Sequence, residues 1–178
     1  GKQVLKDVSF QIPRGVILGI AGVEGNGQSE ISEIISGMDR SFEGEVEVNG
    51  KNAREMTVRQ LRENGVAHIS EDRMTYGIVG DGTIAENMIS DRYYKKEFQK
   101  GLLLDEKKIS DLAEDLIEKF NVKCDGKDQP IRMLSGGNMQ KVVAAREFTS
   151  GADLIIANQP TRGIDIGASM CLSNKLVE

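Results

Sequence analysis

The sequence predicts an α/β fold built around a phosphate-binding loop, and three observations carry that expectation. A nearly continuous apolar run from Val16 to Ala21 feeds the glycine-rich stretch Gly22-Val23-Glu24-Gly25-Asn26-Gly27-Gln28-Ser29, after which Ile31, Ile34 and Ile35 recur at helical spacing before Gly37. A second helical stripe runs from Asp105 to Phe120. A third pattern, helical from about Gly136 to Thr149, is followed after Gly151 by the apolar strand Leu154-Ile155-Ile156-Ala157. The expected architecture is an N-terminal antiparallel portion, a mainly parallel core sheet holding the loop, and a helical lobe at residues 85–150 within one domain spanning 1–178.

The antiparallel portion is read from alternation. Apolar residues alternate from Val8 to Ile12, and again at Val46 and Val48, which precede Asn49-Gly50. That dipeptide is favoured where both central residues of a hairpin turn need positive φ. In the helical lobe, Ile109, Leu112, Ala113, Leu116, Ile117 and Phe120 share one face while Asp111, Glu114, Asp115 and Glu118 lie off it, so the stripe reads as core. The sequence contains no internal repeat and no low-complexity segment.

Composition narrows the partners. With 178 residues, 39% hydrophobic and 29% charged, the chain holds enough apolar surface for one sizeable core and a smaller lobe. Twenty-three basic residues against 28 acidic ones give a net charge of -5, without a basic cluster, which argues against nucleic acid as a partner. The longest nearly apolar run, Gly15 to Val23, is too short to span a bilayer, and the N-terminus has no secretory leader pattern, so a cytosolic protein is expected. Cys124 and Cys171 belong to no CxxC or Cys/His pattern and read as reduced packing residues. His68, set among Val66, Ala67 and Ile69, reads as a hydrogen-bonded structural histidine.

A phosphate-binding loop works because glycines let successive backbone N–H groups face an anion at the partly positive end of a helix. Gly22, Gly25 and Gly27 meet that need. The loop normally adds a lysine for the β- and γ-phosphates and a hydroxyl for magnesium; here Gln28 stands in the lysine place and Ser29 is retained. Glu24 and Glu30 flank the loop with negative charge that a triphosphate would not welcome. Taken alone, the lysine-less loop is explained as well by a plain strand-to-helix turn.

Leu134-Ser135-Gly136-Gly137-Asn138-Met139-Gln140-Lys141 opens the third helix with a serine and two glycines, a geometry also suited to an anion. The strand after it ends in Asn158-Gln159-Pro160-Thr161-Arg162-Gly163-Ile164-Asp165, and Ser70-Glu71-Asp72-Arg73 lies between loop and helix. In this order and spacing the chain resembles, over nearly its whole length, the nucleotide-binding domains of ATP-binding cassette (ABC) transporters.

The resemblance implies a nucleotide site shared between two cassettes. Cofactor contacts fall on Gly22, Glu24, Gly25, Asn26, Gly27, Gln28, Ser29, Glu30, Glu71, Leu134, Ser135, Gly136, Gly137, Gln140, Asn158 and Asp165, with ATP and Mg2+ as the cofactors. Ser29, Glu71 and Asn158 occupy the metal positions. The signature Leu134 to Gly137 would close on a partner's nucleotide, Ser135 and Gly137 touching its γ-phosphate. Asn158 and Gln159 replace the aspartate that supports magnesium and the glutamate that acts as base, so neither can carry the charge that either job uses.

Ser-Glu-Asp-Arg at residues 70–73 resembles the second cassette of importers for simple sugars and nucleosides, and Ile84 through Tyr94, together with Ala157-Asn158-Gln159-Pro160, looks closest to the nucleoside branch. Implied partners are a second cassette in the same polypeptide, transmembrane permease subunits and, indirectly, an external solute-binding protein. The implied location is the cytoplasmic face of the plasma membrane. The family's switch histidine belongs beyond Glu178, and no aromatic residue precedes Phe10 to stack on adenine, so an excised portion of a longer subunit is expected. Two rivals remain: a non-transport ATPase of the same class, which co-purification with membrane subunits would decide against, and a regulatory scaffold that binds no nucleotide.

Overall fold

The fold described by this computed structural model comprises residues 4–177; the side chains of Cys171 and Val177 lie outside that description. The described residues divide into two compact units, the first formed by residues 4–68 and 152–158, the second by residues 69–151 and 159–177.

In the first unit, α1 (Gln28–Ser36) ends at Gly37, whose φ of 77° is the left-handed turn that lets its N–H reach back to Glu33 and Ile34. The hairpin of β1 (Glu47–Val48) and β2 (Lys51–Asn52) is antiparallel, with Glu47 opposite Asn52. Asn49 and Gly50 take φ of 51° and 75°, as the turn dipeptide requires. Next, α2 (Val58–Glu63) is capped at Thr57 and followed by β3 (Val66–Ile69), which pairs with β6 (Leu154–Ala157) in a parallel sheet. Val48, Ala53, Leu61 and Val66 form the core of this unit, with Ile35, Leu154 and Ile156 packed on it.

The expected strands at Val8 to Ile12 and Val16 to Ala21 are not formed: among the described residues both segments lie outside any ladder, and Ile17 is 70% exposed. One pattern alternates and the other is a continuous apolar run, both compatible with strands, but a strand is held by cross-strand pairs, and neither segment has a hydrogen-bonded neighbour strand among the described residues. The antiparallel portion is therefore the β1–β2 hairpin alone.

The second unit is mainly helical. It contains α3 (Ile84–Ile89), the small hairpin of β4 (Gln99–Lys100) and β5 (Leu103–Leu104), α4 (Glu106–Lys119), α5 (Gly136–Phe148) and α6 (Ile166–Val177). On α4 the expected stripe is inward: Ala113, Leu116 and Phe120 are buried against Ile84, Met88, Ile131 and Val142. The Phe120 and Phe148 rings stack with centroids 6.3 Å apart. Cys124 is a free thiol packed against the same core. No helix of the described residues is long and apolar enough to cross a membrane.

The entry to α3 is a capping box. Thr83 Oγ1 accepts from Glu86 N–H at 3.1 Å, and Glu86 Oε2 accepts from Thr83 N–H at 2.7 Å. Thr83→Ala is expected to lower stability by about 1 kcal/mol in urea denaturation.

Two buried arginines tie α3 to α5. Arg92 Nη1 donates to Thr149 O at 2.7 Å and its Nη2 to Arg146 O, which occupies the last carbonyls of α5. Arg146 Nη1 donates to Asn87 O at 3.3 Å and to Ser90 Oγ at 3.0 Å, at the end of α3. Guanidinium groups there satisfy orphan carbonyls and complement the negative ends of both helices. Each arginine also meets a neighbouring carboxylate: Arg92 Nε lies 2.8 Å from Asp91, and Arg146 Nε 2.8 Å from the fully buried Glu147.

Candidate functional site

The glycine-rich loop lies wholly in the first unit. Gly25 and Gly27 take φ of 83° and 107°, values open to glycine, and they turn the chain into α1. Gly27 caps α1 without any side-chain hydrogen bond, leaving the first N–H groups of the helix to face an anion. Gln28 turns back into the loop. Its Nε2 donates to Val23 O at 3.2 Å and sits where a Cβ on Gly22 would stand, while Asn26 Nδ2 donates to the same carbonyl at 3.0 Å. Two amides therefore fold the loop onto itself.

Asn158 Nδ2 comes within 3.5 Å of Ser29 Oγ, so the structure joins two of the three expected metal positions. The donor set they offer, a hydroxyl and an amide, lacks the carboxylate oxygens that magnesium sites use. Among the described residues no group of three His, Cys, Asp or Glu side chains could hold a metal ion. The loop thus suits an anion, while the two joined positions, Ser29 and Asn158, bring no carboxylate to a magnesium ion. His68 Nε2 lies 3.0 Å from Ser32 Oγ of α1, a packing role that agrees with its structural reading.

The second unit gathers Glu71, the signature turn and residues 159–165. Ser135 is the N-cap of α5: its Oγ accepts from Asn138 N–H at 3.4 Å and Asn138 Nδ2 at 3.0 Å, and the residue stays exposed. One helix turn on, Gln140 Nε2 donates to Pro160 O at 2.9 Å. A Cβ on Gly137 would lie 3.0 Å from Asp165 Oδ2, so glycine lets the two segments approach. Gln159 has a φ of 45°, and Glu71 pairs with Arg162. Glu24 and Glu30 lie beside the loop of the first unit, and Leu134 and Gly136 bracket Ser135 in the second.

Asp165 Oδ1 accepts from Ala168 N–H at 2.9 Å at the start of α6. That hydrogen bond, with another from Gly167, holds its carboxyl below the ordinary 3.8 against a smaller opposing effect of desolvation. A lowered carboxyl pKa stabilises the fold above the unfolded value, and that contribution is lost as pH falls through the folded one. Asp165→Asn is therefore expected to reduce stability at neutral pH and to bring little further loss in acid, measured by urea denaturation across that range.

Arg73 and Arg162 bind this cluster together, although neither had been assigned a role from the sequence. Arg73 Nη1 donates to Arg162 O at 3.1 Å. Their signal was visible only as single arginines inside Ser-Glu-Asp-Arg and Pro-Thr-Arg-Gly, two segments far apart in the chain.

A parallel sheet beside a glycine loop, with a serine-capped glycine turn on a separate helical unit, defines a nucleotide-binding cassette. A family model described as ABC transporter matches residues 5–162, and the chain belongs to that family. The guanosine import ATP-binding protein NupO of Bacillus subtilis is 39% identical over 178 residues, covering 100% of this chain and 35% of that protein. The glucose import ATP-binding protein TsgD13 of Haloferax volcanii is 40% identical over 170 residues, covering 94% and 31%. The chain thus spans about a third of the length of the curated relatives it matches. A solved dimer of the ATP-binding cassette MJ0796 in a post-hydrolysis state, bound to ADP and Pi, shares the fold with a TM-score of 0.80 at 23% identity, covering 97% of this chain and 73% of that one.

Proposed function

We propose that this chain is the second, degenerate cassette of the ATP-binding subunit of an importer for simple sugars or nucleosides. Its signature turn completes an ATP site whose loop, base and magnesium carboxylate come from a partner cassette in the same polypeptide. Permease subunits and, through them, an external solute-binding protein are the other partners, at the cytoplasmic face of the membrane. The names of the relatives support the solute class, and the acidic balance speaks against a nucleic-acid role.

The observation that carries the reading is the contrast between the two phosphate-directed features. Ser135 is exposed at the start of α5, its Oγ accepting from Asn138 at the head of the helix, whereas the loop's own side chains, Gln28 and Asn26, turn back on Val23 O. Ser135 and Gly137 would meet the γ-phosphate of the partner's nucleotide, where fixed hydrogen-bond donors stabilise developing charge. At this chain's own loop, backbone N–H groups and Ser29 would hold phosphate without a cation. Asn158 and Gln159, in place of magnesium support and base, leave that site slow or silent.

The division predicts weak binding by the chain itself. Calorimetric titration of ATP is expected to show no tight site, and a Kd below about 1 µM would contradict the proposal.

A further inference from the structure

Three segments converge in the second unit: residues 70–73, the turn that opens α5, and residues 160–165. Arg73 reaches Arg162 O at 3.1 Å, and the Arg162 guanidinium returns to the carboxylate of Glu71, so two arginines fasten these segments in opposite directions. The same Arg73 guanidinium lies against the signature turn. A Cβ on Gly136 would stand 2.8 Å from Arg73 Nη2 and 3.4 Å from Gly163 O. Arg73 Nε is buried without a hydrogen-bond partner. Leaving such a donor dry is unfavourable, and an arginine held only for solubility would turn it to water.

We infer that Arg73 is a positioning residue for the signature turn, setting the backbone at Gly136 and, through Arg162, keeping Glu71 in register with Ser135 and Gly137. The inference deepens the functional reading above and rests on it for its catalytic consequence, while its structural consequence stands alone. Displacing Glu71 would shift Arg162, then Arg73, and then the donors offered to a partner's nucleotide. Fork geometry is what the clasp uses, because one nitrogen serves Arg162 O while another lies at Gly136. A lysine carries the same charge on a single nitrogen and cannot do both.

Two readouts test this. Amide exchange in the full chain reports the turn, and ATP hydrolysis by the assembled transporter reports the partner's site. Arg73→Ala is expected to speed exchange across residues 134–138 about tenfold, with remote protection in α4 unchanged, and to lower kcat/KM about tenfold. Arg73→Lys should fail to rescue either, and Arg73→Ala combined with Gly136→Ala should be no worse than the more severe single change. Unchanged exchange, rescue by lysine, additive effects of the pair, or loss of protection throughout the chain would each overturn the inference. If Ser135→Arg leaves hydrolysis intact the functional reading falls, yet the exchange results still decide the clasp.

Discussion

Ser135→Arg is expected to reduce ATP hydrolysis by the assembled transporter by at least about 10²-fold, the scale of losing a fixed donor to transition-state charge. The serine caps α5 and is exposed, so a bulky side chain would project from the helix start, where the proposed function puts a partner's phosphate, rather than disrupt a core. The arginine would also place a cation at the partly positive end of a helix, and the cap would be lost. Because this chain's own loop is the proposed slow site, Gln28→Ala should change the rate little. Its amide is already engaged with Val23 O and brings no charge to a phosphate. The reverse order of effects would mean that the chain's own loop performs the chemistry.

Arg146→Met is expected to destabilise the fold by about 3–5 kcal/mol in equilibrium denaturation. Three groups each lose a contact at once: the buried carboxylate of Glu147, the Asn87 carbonyl at the end of α3, and Ser90 Oγ, the last two keeping their hydrogen bond to each other. The largest part is the loss of a cation beside a buried carboxylate, since Glu147 is 0% exposed. Adding Glu147→Gln should therefore recover a substantial share, because removing both charges avoids burying the carboxylate without that guanidinium. A single-variant effect below about 1 kcal/mol, the scale of an ordinary surface pair, would show that the network contributes little.

Local patterns with a local cause were legible in the sequence. Asn49-Gly50 announced a turn because both residues there need positive φ, and they have it. The stripe on α4 and the serine before two glycines on α5 likewise encode their own helix. Val8 to Ile12 and Val16 to Ala21 carry the same kind of pattern but form no strand, because a ladder is a property of two segments and alternation describes one.

For the site, glycine spacing and the Ser135 cap could be read directly, whereas amides at Gln28, Asn158 and Gln159 in place of charged groups were implied only by the resemblance. The inward fold of Gln28 could not, because its partner is a backbone carbonyl within the loop. Nor could the meeting of Arg73 with Arg162, which depends on how residues 70–73 and 160–165 come together in the second unit. The α3–α5 network of Arg92 and Arg146 was likewise unread, because its partners are mostly helix-end carbonyls far apart in the chain.

The division of labour between the two phosphate-directed features is tested most directly by crosslinking. An ATP analogue bearing a photoreactive group on its γ-phosphate, bound to the assembled transporter, should label this chain at residues 134–140 and leave residues 22–30 unmodified. Labelling confined to residues 22–30 would contradict the account.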